Sequence, residues 1–353
     1  MVWFLLFALA AGDSTTPVVK AAHSYLAGQA GLIRDASLSA NTLDMLGNPK
    51  ACVAHRAGLT EAKKDSILRA LAEAGFAAAE SKKAVFPPVS GEGTACPVAP
   101  QAFASAPGGE TGGHHSYPGG LAIHTANNER AAMGWVETYR ASYGDLPIDR
   151  DVMIAAPIWH DWAKVLVFQW NADGTEFAEG KIAGTGAHHV LGLAETMARG
   201  MRPDFVIAQA SAHAAPTLGN EAQVVGWLRA AAIVAQSDPV AGKYLVRGAD
   251  GTYRLPVLRG FGESPVLIEY VLHHLSDADF PMSIPAVATV DKVLRDIAPT
   301  FGFDAGEIAR FNNKFRNPVL SNLTAERLFG VYTRAGTEGV VSEVRKLRQT
   351  GGF

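Results

Sequence analysis

Histidine and aspartate residues recur through the middle of this 353-residue chain, on segments that read as helices. The densest example is IWHDWAKVLVF at 158–168, where His160 and Asp161 are adjacent and Lys164 follows within one helical turn. Ionisable groups beside so much apolar sequence are costly to bury unless partners neutralise them. Imidazole and carboxylate groups together suit zinc, iron, manganese or nickel. The sequence therefore predicts a metal site, with candidate ligands His124, His160, Asp161, the pair His188-His189, His213 and Asp238.

Five predicted helices must position these ligands. Their segments begin after glycines or at an acidic residue or a proline, and they end at glycines or prolines, as helix-start and helix-stop signals do. Successive helices of a bundle can each direct one residue into a shared interior, where bundles build metal sites. Small residues around the candidates, such as Ala155, Ala187 and Ala212, favour close packing there. The five segments are 120–144, 151–164, 184–200, 202–216 and 221–242.

The spacing of apolar residues and of Gly and Pro breakers predicts an all-α protein. We expect a helical N-terminal segment at 1–84 and a loop rich in Pro, Gly and Ser at 85–113. The metal domain is predicted over 114–245 and a helical C-terminal extension over 246–353, with one short strand within 251–258. The basic residues of the last segment indicate a solvated helical surface rather than a nucleic-acid patch. The sequence has no internal repeats.

Bulk composition narrows the function classes. Hydrophobic residues make up 48% of the chain and charged residues 18%, and the formal net charge is -3, which does not indicate a nucleic-acid-binding surface. Cys52 and Cys96 are too few for a four-thiolate zinc site, and they form one disulfide or remain two separate thiols. The apolar run at 2–10 is too short to cross a bilayer and has no basic residue before it. The run is either an export signal or an apolar helix packed on the domain, and the export signal is slightly favoured. The alternative location is the cytoplasm.

The order His…His-Asp…Asp in a helical domain resembles the HD-domain superfamily of metal-dependent phosphohydrolases. The resemblance covers roughly 112–242: HHSYPGGLAIHT at 114–125, HDWAK at 160–164, EGKIAGTGAHHVLG at 179–192 and EAQVVGWLRAAAIVAQSDPVA at 221–241. Within this superfamily, these segments are most similar to the branch with 3'-5' exoribonuclease activity. The Gly-Tyr-Pro signature of the cyclic-dinucleotide branch does not match the sequence after His189.

The resemblance implies an HD-type bundle with one or two divalent ions. One ion would be held by His124, His160, Asp161 and Asp238, and a second by His188 and His213, with Asp161 bridging both. His188 is preferred to its neighbour His189 because of its distance from Gly192. If only one ion binds, His188 and His213 become substrate contacts or general acids.

Three more residues are candidate substrate contacts. Lys164 lies one turn after Asp161 and would stabilise charge on a phosphate, or it would form a plain salt bridge. His114 and His115 precede the Tyr117–Gly120 turn and form either a pocket rim that contacts substrate and donates a proton or a solvent-exposed pair. His273 and His274 belong to helix packing or to the surface.

The predicted function is hydrolysis of a nucleotide or a phosphodiester by metal-activated water. The catalytic set is Asp161, Lys164, His188 and His213, and the partner is a small phosphorylated substrate. An exonuclease would need a basic track for the strand, which the charge does not indicate. A di-iron oxygenase, as in the inositol-oxygenase-like relatives, uses a similar ligand set and remains the alternative. A binding module with a vestigial metal site ranks last. It predicts that some ligand residues are replaced, and none of the candidates is.

Overall fold

The computed structural model describes residues 16–53, 58–78, 81–89, 94–259 and 263–353. The apolar run at 2–10, on which the export prediction depends, lies outside these residues. None of the helices in the described ranges is long and apolar enough to cross a membrane.

The described chain is mostly helical, and the prediction of an all-α class is confirmed. Three helices precede the central bundle: α1 (Pro17–Ala30), α2 (Ala36–Gly47) and α3 (Glu61–Glu73). Then follow α4 (Lys82–Val85), α5 (Gly120–Tyr143), α6 (Arg150–Trp159), α7 (Lys164–Val167), α8 (Ala187–Ala198), α9 (Pro203–Ala210) and α10 (Glu221–Ala235). The C-terminal part contains α11 (Ile268–Ser276), α12 (Phe280–Ile297), α13 (Ile308–Phe311), α14 (Asn317–Leu323) and α15 (Ala325–Gln349).

Strands are confined to two small antiparallel hairpins in the described residues. The first pairs β1 (Lys181–Ile182) with β2 (Thr185–Gly186). The second pairs β3 (Val246–Arg247) with β4 (Tyr253–Arg254). The strand predicted within 251–258 is therefore present but only two residues long. The predicted irregular loop at 85–113 contains one short 3₁₀ turn, Phe103–Ser105, among its described residues.

The five predicted central helices are all present, but three end clearly earlier than expected, and the last of these, α10, ends at Ala235. Helix α6 ends at Trp159, so His160 and Asp161 lie just beyond it. Pro157 lies inside this helix and lacks the amide hydrogen that an interior position needs. Helix α9 ends at Ala210, which leaves His213 in the segment that follows. Residues just beyond a helix end can direct their side chains over a wider range than residues on a packed helix face.

One apolar core runs through the described protein from α1 to α15. It includes Leu26 of α1, Val190 of α8 and Leu294 of α12, each with at most 1% exposure. Helix α11 packs on α5, α6 and α9, and α12 packs along α15. The boundary predicted at 245 therefore does not divide two separate cores, because α11 and α12 pack with the central helices and the C-terminal helices.

A disulfide joins Cys52 to Cys96, which resolves the alternatives left open by the sequence. The adjacent amide of Val53 donates to Glu195 Oε2 on α8, 3.0 Å away. The crosslink ties the segment before the predicted loop to the loop itself, and the hydrogen bond connects that segment to the helix that carries His188. Disulfides persist in oxidising compartments, which agrees with the export prediction without testing the N-terminal run itself.

Candidate metal centre

His160 and Asp161 are placed by the end of α6. Asp149 caps the start of this helix by accepting hydrogen bonds from the amides of Asp151 and Val152. At the other end, His160 Nδ1 donates to the carbonyl of Pro157, 2.8 Å away. This bond fixes the tautomer, so Nε2 carries the lone pair that a metal would use. Both side chains are buried, with 0% and 1% exposure.

Four candidate donor atoms from three parts of the chain lie close together, and those of His124, His160 and Asp277 are all within 4.8 Å of one another. His124 Nε2 lies 3.1 Å from Asp161 Oδ2 and 3.2 Å from Asp277 Oδ1. His160 Nε2 lies 3.3 Å from Asp161 Oδ2 and 3.5 Å from Asp277 Oδ1. Each histidine is thus close to both carboxylates. Helix α5 supplies the first histidine, the end of α6 supplies the doublet, and the end of α11 supplies Asp277.

Two further histidines lie beside this group. His188 Nε2 is 3.1 Å from Asp161 Oδ1, the oxygen that His124 and His160 do not face. His213 Nε2 is 3.5 Å from Asp277 Oδ2. Asp161 and Asp277 therefore each present one oxygen to the His124–His160 group and one to the His188–His213 side. Among the described residues, the ligand atoms of His160, Asp161 and His213 lie within 4.8 Å of one another, and His188 adds a contact to Asp161.

The ring nitrogens that face away from the cluster are anchored for three of the four histidines. His188 Nδ1 is 2.7 Å from Glu179 Oε1, and His124 Nδ1 is 3.3 Å from Asp279 Oδ1. His160 has its bond to Pro157. Metal-binding histidines characteristically donate the second ring N–H to a carboxylate or carbonyl, which fixes the ring and raises its basicity. The exposed ring of His213 has no such bond among the described residues.

Asp277 is held in place by helix α5. Asn128, four residues after His124, donates from Nδ2 to Asp277 Oδ1 at 3.0 Å. Asn128 Oδ1 in turn accepts from the Ser276 hydroxyl at 2.6 Å. Residues four apart on a helix lie on one face, so His124 and Asn128 address the same carboxylate.

The cluster perturbs its own acid–base equilibria. Burial lowers the pKa of His160, but Asp161 and Asp277 outweigh it and raise that pKa to about 9. Burial likewise opposes the charge on His188, while Glu179 and Asp161 raise its pKa to about 8. Burial raises the pKa of Asp161, yet His160 and Lys164 hold it well below its ordinary value. The carboxylates are therefore anionic at neutral pH, and the site attracts cations.

The residues present fit a divalent transition metal. Two ligand atoms about 2.1 Å from one ion lie roughly 3.0–3.4 Å apart at right or tetrahedral angles, and the four histidine–aspartate N···O pairs are separated by 3.1–3.5 Å. His124 Nε2, His188 Nε2 and Asp161 Oδ1 are buried without a hydrogen-bond partner in the described protein. Imidazole lone pairs that face carboxylates need a proton or a cation between them. A metal ion meets that need for several pairs at once.

The predicted ligand Asp238 requires correction, because the structure does not bring it to the cluster. Helix α10 ends with Gln236 in a left-handed conformation, and the exposed Asp238 follows it. Its Oδ1 accepts from the amides of Val240 and Ala241 at 2.8 and 3.3 Å. Asp277, which lies in the segment predicted as a C-terminal extension, is the aspartate that approaches His124 and His160 instead. A sequence signal for it existed, since Asp277 follows an apolar helix that also carries His273 and His274.

Lys164 also differs from its predicted role. Its ammonium donates to Asp161 Oδ2 at 2.5 Å and to the carbonyl of Gly108 at 2.5 Å, and His114 Nε2 lies 3.5 Å away. An ammonium has three donors, and these three neighbours account for them. The side chain is 3% exposed. The structure thus shows the salt bridge that was the alternative to the phosphate contact.

The two histidines before the Tyr117–Gly120 turn differ in burial and in the groups that they contact. His114 is half-buried and lines the pocket over the cluster. His115 is fully buried, with Nδ1 3.2 Å from Ser283 Oγ and Nε2 3.5 Å from Asp279 Oδ2. His115 is therefore neither a substrate contact nor an exposed loop residue. It is part of the support for Asp279, the carboxylate that anchors His124.

The remaining histidines lie around the site. His189 is fully buried and packs on the rings of His213 and Trp227, with both centroid separations 4.6 Å. His188, not His189, faces Asp161, as predicted. His273 packs on His160 and donates from Nδ1 to the carbonyl of Ala208 at 2.6 Å. His274 Nδ1 is 2.8 Å from the carbonyl of Ala212, and its side chain lines the pocket, a place that the sequence analysis did not foresee.

A cavity of about 450 Å³, called here the central pocket, opens onto the cluster. Its polar wall contains His114, His124, Asp161, His213 and Asp277. Its other wall is apolar and contains Leu275, Ala278 and Phe280, and the Phe280 side chain is 49% exposed. None of the described residues that line this pocket is a lysine or an arginine. A search of family models, curated proteins and solved structures finds no match to this chain.

Proposed function

We propose that this chain is a metal-dependent phosphohydrolase of the HD type that acts on a small nucleotide or another compact phosphate ester. The observation that carries the proposal is the convergence of His124, His160, Asp161 and Asp277 at mutual N···O distances of 3.1–3.5 Å. The revised order His…His-Asp…Asp is the one that the HD resemblance implies, with Asp277 in place of Asp238.

The residues divide into ligands and their supports. His124, His160, Asp161 and Asp277 would hold one divalent ion, and His188 with His213 would hold a second through the outer oxygens of the two aspartates. A bound ion supplies a Lewis acid and lowers the pKa of a coordinated water toward neutrality. Glu179, Asp279 and the Pro157 carbonyl orient the histidine rings, and Lys164 holds Asp161 in place.

The central pocket supports a phosphate ester with a planar or apolar substituent. It lacks lysine and arginine among its described lining residues, so the charge of a phosphate would be met by the metal site. Phe280 presents an aromatic surface at the apolar wall, on which a nucleobase can stack. A cavity of about 450 Å³ suits a mononucleotide-sized ligand rather than a strand that follows a basic track.

His114 is the candidate proton donor for the leaving group. It lies in the pocket wall beside His124, with a ring-centroid separation of 4.7 Å. Burial lowers its pKa well below the ordinary value, and Lys164 adds to that effect. The free imidazole is therefore neutral at pH 7, and it would need the negative charge of a bound phosphate to carry a proton.

The test combines elemental analysis with hydrolysis of bis-p-nitrophenyl phosphate and a nucleotide panel, under argon, with manganese or nickel added. The proposal expects one or two ions per chain and turnover that does not need oxygen. Asp161→Asn should lose the metal and at least about 10³-fold in rate while retaining the helical circular dichroism. A protein that contains iron, consumes oxygen and leaves phosphate esters intact would contradict the proposal in favour of the oxygenase.

A further inference from the structure

A second cavity, called here the outer pocket, lies between helices α3 and α10 and strand β4. It has a volume of about 310 Å³ and is lined by Ser66 and Ile67 of α3, Arg229 and Ile233 of α10, Ser237 and Tyr253. Trp227, two residues before Arg229, packs on His189 next to the metal centre. Two residues correspond to roughly 200° around a helix, so the outer pocket is on the side of α10 away from that centre.

Arg229 supplies the charge in the outer pocket. Its guanidinium carbon lies 5.2 Å from the ring centroid of Phe76 and 4.9 Å from that of Tyr253. These aromatic contacts hold the guanidinium plane but do not satisfy its five N–H donors. Across the described ranges, Arg229 has no carboxylate partner and no hydrogen bond. A half-buried guanidinium in that state can accept an oxyanion at little desolvation cost.

Ser237 adds a second polar group without a partner. Its hydroxyl oxygen is buried and has no hydrogen-bond partner in the described protein. The backbone around it is fixed, because the Ser237 amide donates to the carbonyl of Ala232 at 3.0 Å and Gln236 adopts a left-handed conformation. Buried hydroxyls are normally hydrogen-bonded, so this one is available to a ligand in the same cavity.

The electrostatic setting favours an anion. No described residue that lines the outer pocket is acidic. A second guanidinium, that of Arg247, lies 5.5 Å from the same Tyr253 ring and has no carboxylate partner in the part of the chain that the structure describes. Asp238, which follows Ser237, is occupied by the two backbone amides described above. Arg247 Nε donates to the carbonyl of Gly251 at 3.2 Å. Two guanidinium groups that lack a carboxylate partner among the described residues attract negative charge.

We propose that the outer pocket is a binding site for a small ligand that carries a carboxylate or a phosphate group. The planar fork of Arg229 matches the oxygens of either group in a bidentate contact, and the Ser237 hydroxyl donates a further hydrogen bond. The apolar side chains of Ile67 and Ile233 contact the remainder of the ligand. The site does not depend on the proposed hydrolase activity.

Isothermal titration with succinate and with inorganic phosphate, at constant ionic strength and with chloride as the reference anion, tests the site and separates the two chemistries. Saturable binding of either anion is the expected result for the full chain. Arg229→Met should weaken it by about 10-fold or more, as expected for loss of a charge-assisted hydrogen bond. Arg229→Lys keeps the charge and the aromatic contact but not the fork, and should recover only part of the affinity.

Two controls make the outcome decisive. Ser237→Ala removes one hydroxyl with little effect on packing and should weaken binding severalfold. Arg254→Met removes a cation from the same hairpin but outside the cavity, where Arg254 faces Asp250, and should bind like the full chain. Equal losses in the Arg254 and Arg229 variants would overturn the proposal, since general charge would then explain binding. Binding that survives Arg229→Met but is lost in Asp161→Asn would place the anion in the central pocket and also overturn it.

Discussion

The central pocket and the outer pocket lie on opposite sides of helix α10 and present opposite kinds of charge. The central pocket concentrates acidic oxygens and histidine nitrogens that are buried and face one another. The outer pocket offers one guanidinium, with no acidic residue among its described lining. The first arrangement is costly unless cations bind, and the second leaves donors open to an anion. The difference shows how one helix can separate a cation site from an anion site within a single core.

The largest effect is expected from substituting, one at a time, the two aspartates that are candidates for the same ligand position. Asp277→Asn should weaken metal binding in the central pocket by more than about 100-fold, beyond the loss typical of a supporting residue, and abolish hydrolysis. Asp238→Asn, the matched control, should leave both within about twofold because Asp238 caps backbone amides at the surface. Metal titrations of the two variants measure this. The opposite ranking would restore Asp238 as the ligand and break the description of the central pocket.

A smaller loss is expected when a histidine keeps its place but loses its anchor. Glu179→Gln removes the charge that orients and polarises His188. Metal affinity should fall by about 10–100-fold, the usual cost of such a partner, with most of the effect on a second ion rather than the first. Stepwise titration with manganese separates the two ions. An unchanged second step would show that His188 is not a ligand.

Proton linkage should distinguish the pockets. The pKa values of His160 and His188 are raised to about 9 and about 8, above the ordinary value near 6.5. In the metal-free protein their protonation therefore contributes stability that is present below about pH 6.5 and is lost as pH rises through 8 and 9. Metal affinity should change the other way and increase over that window, because ligand histidines must be neutral.

Calorimetry in buffers of different ionisation enthalpy measures the protons released on metal binding. At pH 7 the expected release is close to three protons per chain when both ions bind, because the carboxylates beside His124 outweigh its burial and raise its pKa well above the ordinary value, as they do for His160 and His188. The affinity of the outer pocket for succinate should instead stay constant between pH 7 and 9, because no histidine is among its described lining residues. Metal binding without proton release would contradict the assignment of protonated histidines to the metal-free cluster.

The smallest effect tests whether the two pockets are independent. Arg229→Met should leave metal affinity and hydrolysis within about twofold, because Arg229 lies on the side of α10 away from Trp227 and His189. Steady-state kinetics with and without succinate measure this. A large change would mean that α10 couples the two pockets through the Trp227–His189 contact. Ligand binding in the outer pocket would then regulate the central pocket.

Local sequence information was sufficient for much of the architecture. Apolar spacing with glycine and proline breakers predicted the five central helices, and helix α5 matches its predicted segment closely. The histidines were also recognisable, because imidazole beside apolar residues is unusual and the doublet His160-Asp161 is specific. Helix ends were less accurate: α9 stops at Ala210, so His213 projects from a loop rather than from a helix face.

The identity of the last carboxylate could not be read from local pattern. Asp238 and Asp277 both follow the end of an apolar helix, but only Asp238 was predicted as a ligand, because its segment resembles the family. The choice is made by packing, since α11 rests against α5 and Asn128 holds Asp277 over the cluster. At the end of α10, the left-handed Gln236 is followed by an Asp238 that stays at the surface.

The sequence by itself determined a helical chain with a cation-seeking set of histidines and aspartates, because residue chemistry and helical periodicity are local properties. Only the tertiary structure decided which of those residues meet. It brought Asp277 from outside the predicted domain, engaged Lys164 with Asp161 and Gly108, and left Arg229 without an acidic partner among the described residues. Distances between side chains on different helices depend on how the helices pack, and that packing is a property of the whole core.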